Sequence, residues 1–444
     1  MIDITIGAAD FAVLKADLLA DDVERCAILY ASQFTRADGR TRLLVREIDL
    51  PSSDDYMCQR SDEAVLRPAY VARITKRANR ENLSLVFVHS HPGASSPHFS
   101  ITDDDGERHL AAFLATRQPA NVHAALVVSR GGIRARQLGT GKEIRVVALG
   151  EYRTILFEPD GVPDAALETF DRQVRAFGVS GQRKLATLRV AIVGLGGTGS
   201  IIAQQLAHLG IQDFILIDPD VIEITNLNRV VGAVSTDIGR AKVDVAARYI
   251  EGFSLDANVM RLKGDVIRAQ VAKAITDADV VFGCTDSHGS RSVLQQVAYQ
   301  YLIPCIDMGS TITTETGSIT GVFGRVQLLA PGFACLSCSG LLHPEEVRRD
   351  MMSAFEKKQD PYILGDREPA PAVISLNATV ASLAMTMFMA YVTGIPSTAR
   401  YILYNAINST LHSVRSVSVT NCYICSHAGT LARGDSVLLF ARQD

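Results

Sequence analysis

"VAIVGLGGTGS", residues 190–200, joins a run of aliphatic residues to a glycine-rich turn. Gly194, Gly196, Gly197 and Gly199 permit a tight turn and a close backbone approach to a ligand, and a helix starting there favours phosphate charge. Working outward, RVAIVG reads as a buried strand, SIIAQQLAHLG as an apolar helix ending at Gly210, and DFILIDPD as a second strand. DADVVFGCTD and YLIPCIDMG are further strands, separated by the helix SRSVLQQVAYQY. Strand, helix, strand repeats of this kind predict a parallel, doubly wound α/β sheet.

The chain has 444 residues, enough for two or three domains. Residues 1 to about 150 alternate short apolar runs (CAILYA, RLLVREI, LSLVFVH, AALVVS, IRVVAL) with polar turns and two helical patterns, a second α/β unit. The expected division is a first domain at 1–157, a Pro- and Gly-containing linker at 158–166, and a second domain at 167–444. Within the latter, the charged, proline-punctuated stretch at 340–371 reads as a long mobile crossover.

A net charge of −4 and no lysine or arginine run argue against a nucleic-acid surface. The N-terminus lacks a basic start followed by an apolar core, so no signal peptide is expected. Eight cysteines without such a signal suggest a reducing, cytoplasmic setting in which paired cysteines bind metal or do redox work. Residues 369–399 contain no charge, yet Ser375, Asn377, Thr379, Ser382 and Thr386 recur through them. A buried helix is expected there rather than a membrane span.

"VFVHSHPGASSPHFSITDDD", residues 86–105, is the second concentration of chemistry. His89 and His91 stand at i and i+2 on a strand, which points both imidazoles to one face. With Asp103 as a third ligand and water in the fourth position, they make an open Zn²⁺ site. Glu24 is assigned as general base, with Glu47 as the competing choice, and Ser100 as donor to an oxyanion. His98 is read as a loop residue, and Asp104 and Asp105 as helix-start acids.

Glu24, His89-x-His91-Pro92 and Ser100-x-x-Asp103 resemble the JAMM (JAB/MPN) metallopeptidases, with a gap from His91 to Ser100 one residue longer than is commonest. The resemblance implies a cytidine-deaminase-like JAB/MPN α/β domain that cuts ubiquitin or ubiquitin-like tails.

Around the glycine turn the flanks depart from a dinucleotide oxidoreductase. Asp218 ends the second strand, where a carboxylate accepts ribose hydroxyls. Asn226, Arg229 and Lys242 follow on "DPDVIEITNLNRVVGAVSTDIGRAK" as if to hold a triphosphate, and Asp286 in "GCTDS" is placed to hold Mg²⁺. This stretch resembles the ThiF-type and ubiquitin-activating adenylyltransferases from about Phe170 to the C-terminus. The resemblance implies a Rossmann-like domain that uses ATP and works as a homodimer, with Arg172 of "FDRQVRAFGVSGQRKL" reaching the partner's ATP. Val230 stands where many relatives have glutamine. Cys335, Cys338, Cys422 and Cys425 form two CxxC pairs that fit a structural zinc knot, which that family also has, with redox pairs as the alternative.

The whole reads as a bifunctional enzyme for a small ubiquitin-like protein ending in glycine. It would process the tail at a zinc site, adenylate it, and serve a downstream conjugating or sulfur-transfer protein. Sulfur-carrier activation for cofactor biosynthesis and an inactive scaffold are the alternatives. Between Cys338 and Cys422 there is no cysteine, and Cys284 and Cys305 sit in apolar strands, so a bare acyl-adenylate without a thioester is expected.

Overall fold

The computed structural model describes residues 2–159, 168–254, 256–315, 317–360 and 371–443. The chain divides into two compact units, Met1–Val162 with Thr430–Leu438 and Pro163–Gly429 with Leu439–Asp444. From residue 160 the expected linker lies outside the described residues. The expected second domain ran unbroken to residue 444, whereas Thr430–Leu438 belongs to the first unit. There a side chain at Gly434, in the left-handed region at φ 50°, would meet Leu44, Ser32 and Phe34.

The first unit contains β1 (Ile2–Gly7), α1 (Ala8–Leu18), β2 (Cys26–Thr35), β3 (Thr41–Asp49), β4 (Tyr56–Gln59) and β5 (Ala64–Leu66). They are followed by α2 (Pro68–Glu81), β6 (Ser84–His91), α3 (Ile101–Arg117), β7 (Ala124–Ser129), β8 (Gly132–Gln137), β9 (Arg145–Leu149) and β10 (Arg153–Phe157). All strands but β4 and β5 form one mixed sheet, in the order β10-β9-β1-β3-β2-β6-β7-β8. Strand alternation splits the apolar residues between two cores. Val86 and Val88 of β6 pack with Ile4, Leu14 and Leu18 on the α1 side. Leu85 and Phe87 pack with Tyr70, Ile74 and Leu114 on the side of α2 and α3. The sequence showed two helical patterns here, whereas the described residues of this unit hold three α-helices, α1, α2 and α3.

The second unit begins with α4 (Asp171–Ala186), β11 (Arg189–Val193), α5 (Gly197–His208), β12 (Asp213–Ile217), α6 (Lys242–Phe253) and β13 (Asn258–Leu262). Then come α7 (Ala269–Ile275), β14 (Val280–Gly283), α8 (His288–Gln300), β15 (Cys305–Glu315) and β16 (Ser318–Leu329). It closes with α9 (Pro344–Met351), α10 (Ala354–Gln359), α11 (Ile374–Thr393), β17 (Tyr401–Asn405) and β18 (Thr410–Ser413). The sheet order is β13-β12-β11-β14-β15-β16-β17-β18. It is parallel from β13 to β15 and antiparallel beyond. The strand order reverses between β11 and β14, and in such sheets ligands bind beyond the carboxyl ends of the strands at that point.

α11 is long and apolar enough to cross a membrane by length and composition. Its Val380, Ala384, Phe388 and Tyr391 lie instead in the core of the second unit with Leu206, Phe282 and Val326. The expected mobile crossover at 340–371 is also different in part, because α9 and α10 occupy much of it. Ser353 and Glu356 cap α10 reciprocally, and Arg348 holds Asp360 at 2.8 Å. Residues 361–370 lie outside the described residues.

Candidate functional site

In the first unit, β6 presents Phe87, His89 and His91 to the face of α2 and α3, and the first turn of α3 brings Asp103 over them. His89 Nε2 lies 3.3 Å from Asp103 Oδ1, and His91 Nε2 lies 3.7 Å from Asp103 Oδ2. One ligand atom from each of the three residues falls within 4.8 Å of the others. Tetrahedral Zn–N and Zn–O bonds of about 2.0–2.2 Å put ligand atoms about 3.4 Å apart, so the set fits a zinc ion. His89 Nε2 is buried and makes no aligned hydrogen bond, as a group awaiting a metal would.

Burial alone would raise Asp103, but His89 and the hydrogen bonds from Ser100 outweigh it and hold the carboxyl below the usual range. Burial lowers His91, which keeps its imidazole neutral and able to ligate. Ser100 is the N-cap of α3, and its backbone N–H and hydroxyl donate to Asp103 Oδ2 at 2.6 and 2.8 Å. The hydroxyl expected to serve an oxyanion therefore fastens Asp103.

Glu24 lies just before β2, and its backbone is pinned to the β4–β5 hairpin through Arg60 and Gln59. Its Oε1 lies 3.5 Å from His91 Nε2, and burial pushes the carboxyl up to about 7. Glu47 is engaged by Arg77 at 2.7 and 2.5 Å, which lowers it, and it does not line the cleft. His98, read as an ordinary loop residue, stands at the cleft with its ring 5.3 Å from that of His91. Asp104 is paired with Arg136 and Asp105 with Arg108.

In the second unit the glycine turn follows β11 and opens α5. Gly194, at φ 88°, donates to Ile217 O at 2.8 Å, and a side chain there would strike Cys284 O. Asp218 is buried at the end of β12 and accepts from Leu195 N–H at 2.6 Å and Asp220 N–H at 2.9 Å. The carboxylate expected at a ribose thus also ties down the turn. Burial raises it, against the opposing pull of Lys242. Lys242, at the start of α6, lies 3.8 Å from Asp218 and 2.7 Å from Asp220.

The Arg229 guanidinium folds back to Thr225 O, while its Cδ approaches Gly197 at the start of α5. Asn226 Oδ1 accepts from Glu223 N–H at 3.1 Å. Val230 is buried with Ile222 and Val245, so it packs rather than binds. Asp286 is exposed in the loop after β14, beside the segment Cys284–Thr285 that touches the turn.

Arg172 is not brought to this turn. Gln173 donates to His208 O at 2.7 Å, so the start of α4 sits at the far end of α5. Twelve helical residues separate those ends by about 18 Å. Among the described residues Arg172, exposed, has no partner.

The four cysteines of the CxxC pairs converge although far apart in sequence. Cys335 Sγ lies 3.7 Å from Cys422 Sγ, and Cys338 Sγ 3.7 Å from Cys425 Sγ. Four zinc–thiolate bonds of about 2.3 Å place sulfurs about 3.8 Å apart, whereas a disulfide is about 2.05 Å long. All four are free thiols, and the spacing fits a tetrahedral metal.

Comparison with known proteins accounts for the second unit. The ThiF family model matches residues 170–424, more than half of the chain. The chain belongs to the ThiF family. It is 26% identical over 254 residues to the SAMP-activating enzyme E1 of Haloferax volcanii, covering 57% of this chain and 85% of that one. It is 25% identical over 264 residues to the molybdopterin-synthase adenylyltransferase of Escherichia coli, covering 59% and 97%. Among solved structures, E. coli MccB with ATP is 20% identical, with a TM-score of 0.47, covering 60% of this chain and 76% of that one.

The ThiF-family domain contains a residue that sequence reasoning noticed only as a polar interruption. Asn377 of α11 is buried, with its Nδ2 pressed against Gly197 and its Oδ1 accepting from Ser310 Oγ at 3.1 Å. An amide alone in an uncharged helix was the available signal. Asp307 was missed as well. It is fully buried beside Gly283 of β14 and is held by Arg325 and Arg291.

Proposed function

We propose that this chain adenylates the C-terminal carboxylate of a small ubiquitin-like or sulfur-carrier protein, and that its first unit trims the same tail. The ThiF-family match over residues 170–424 carries the first half of this reading. ATP would lie with its phosphates at the start of α5, Asp218 near the ribose, and Asn226, Arg229 and Lys242 facing the phosphate charge. The tail carboxylate attacks the α-phosphorus, the bond to the bridging oxygen breaks, and pyrophosphate leaves. Asp286 would hold Mg²⁺, which supplies charge neutralisation on the leaving group. Arg172 would serve the site of a second copy in a homodimer, since its own turn lies the length of α5 away.

Relatives named for activating SAMP and for adenylating toward molybdopterin synthase support a small-protein substrate. Transfer of the acyl group to a separate sulfur donor is favoured over a thioester on this chain. Burial pushes the thiols of Cys284 and Cys305 far up, which leaves them inert in the second unit. Conjugation through a separate thiol enzyme is the second reading, supported by the SAMP-activating relative.

The JAMM-like pattern and the fit of His89, His91 and Asp103 to a zinc ion support the peptidase half. When bound, zinc lowers the pKa of its water to about 7. Glu24 would take the proton from the attacking water and deliver it to the departing amine. Adenylation needs a free carboxylate, which an uncut amide does not offer, and one chain holding both activities raises the effective concentration of the cut tail.

ATP–pyrophosphate exchange tests the adenylation half with small β-grasp proteins ending in glycine. Exchange should require the carrier and vanish when its C-terminus is amidated. Exchange that persists with the amidated form, or that no carrier elicits, would refute it.

A further inference from the structure

The cleft that holds His89, His91 and Asp103 is much larger than a metal and its water require. Its volume is about 730 Å³, against about 30 Å³ for one water. Strand alternation explains what fills the rest of the wall. Ile28 of β2 pairs with Phe87 of β6, and Phe87 with Ala125 of β7, all on the face that carries His89. Same-face residues on a strand are about 7 Å apart, so an apolar floor begins one side chain's length from the ligands.

Above that floor stand Leu66 of β5, Val71 of α2 and Leu110 of α3, all half-buried. Glu107, also on the wall, is held by Arg136 at 2.9 Å. At the rim, Asp62 and Glu63 add negative charge. The cleft therefore has a polar end built for bond cleavage and an apolar end that no assigned step uses.

We propose that the apolar end is a subsite for a large aliphatic or aromatic side chain, carried by the first residue on the leaving side of the bond cut at His89, His91 and Asp103. This inference rests on the peptidase reading of those residues. The occupant belongs on the leaving side because the acyl residue at the bond is the carrier's terminal glycine, which has no side chain to fill the chamber. Successive Cα atoms are 3.8 Å apart, so the residue after the scissile carbonyl reaches the chamber directly. The acidic rim disfavours Asp or Glu there. Burial of a leucine or phenylalanine side chain should favour such tails by about tenfold to hundredfold over serine.

The test uses the full-length protein and carrier tails of the form Gly-Gly-Leu and Gly-Gly-Ser with identical flanks. With zinc bound, kcat/KM for the leucine tail should exceed that for the serine tail by about tenfold or more. The zinc-loaded Glu24→Gln protein, which lacks the proposed base, should bind the labelled leucine tail more tightly than the serine tail by fluorescence anisotropy, a readout independent of cleavage. Ala125→Leu and Val71→Phe fill the chamber from a strand and from a helix, and each should erase both preferences. Each of these two variants should still cut the serine tail at the wild-type rate and hold its zinc at His89, His91 and Asp103, which shows that the first unit is folded. Equal cleavage and equal binding of the two tails would overturn the subsite. If neither tail is cut but leucine still binds better, the chamber does bind such a side chain, while the peptidase reading and the leaving-side assignment both fall.

Discussion

Replacing Gly199 by alanine should damage the second unit far more than the same change three residues earlier. An alanine Cβ at 199 would lie 1.8 Å from Gly194 O and 2.8 Å from Gly194 C. Relief requires a shift of roughly 1.5 Å between α5 and the turn, because ordinary contacts begin near 3.4 Å. The turn cannot retreat cheaply. Gly194 N–H is bonded to Ile217 O at 2.8 Å and Leu195 N–H to Asp218 at 2.6 Å.

Overpacking costs about 1–3 kcal/mol, and each weakened hydrogen bond adds about 1 kcal/mol. Alanine returns about 1 kcal/mol of helix propensity, which leaves a net loss of roughly 2–4 kcal/mol. A domain of this size loses about 2–4 °C per kcal/mol, so thermal unfolding of the second unit should fall by roughly 4–16 °C. ATP binding should weaken with it.

Gly196→Ala is the control, since its Cβ would have nothing within 4 Å. Gly197→Ala should be intermediate, because only the Asn377 side chain must move. The reasoning is wrong if Gly199→Ala unfolds within about 2 °C of Gly196→Ala and binds ATP as well.

Three other outcomes follow from single features. His123 is buried and pushed down to about 4 by that burial, against an ordinary 6.5. The unfolded chain therefore binds the proton first, and stability present above pH 6.5 is lost as pH falls toward 4, on the order of 2–3 kcal/mol. His123→Asn, which keeps an acceptor for Leu85 N–H, should flatten the melting temperature over that window. An unchanged pH slope would exclude His123 as its source. Cys338→Ser should lower bound zinc by one ion from about two per chain by elemental analysis, and destabilise the second unit. Unchanged metal content would remove the tetrahedral-thiolate account. Arg172→Ala and Asp286→Ala proteins, each inactive alone, should regain part of their exchange activity when mixed as heterodimers. No recovery would place Arg172 outside a shared site.

Much of the chemistry was legible because it is local. The glycine turn, the His-x-His strand and the Ser-x-x-Asp helix start each span a few residues with a defined period, so sequence spacing already encodes direction. Glu24 was preferred to Glu47 on pattern alone, and the fold adds the physical difference between them, with Arg77 occupying Glu47 and His91 facing Glu24. What stayed hidden depends on contacts distant in sequence. Asn377 meets Gly197 across nearly the whole second unit, and Thr430–Leu438 returns to the first unit. The residues at 340–360 looked like a loop because their charge is high, yet two short helices form there, α10 with a reciprocal cap from Ser353 and Glu356, and α9 with Arg348 paired to Glu345 and Asp360.

On the proposed function, one carboxyl tail passes through both sites of this chain. Pyrophosphate release should be measured for a carrier precursor extended beyond its glycine and for the trimmed form, with wild type and His91→Ala. Release is expected from the trimmed form in both proteins, and from the precursor only when His91 is intact. Equal release from the precursor in the two proteins, or none from the trimmed form, would contradict it.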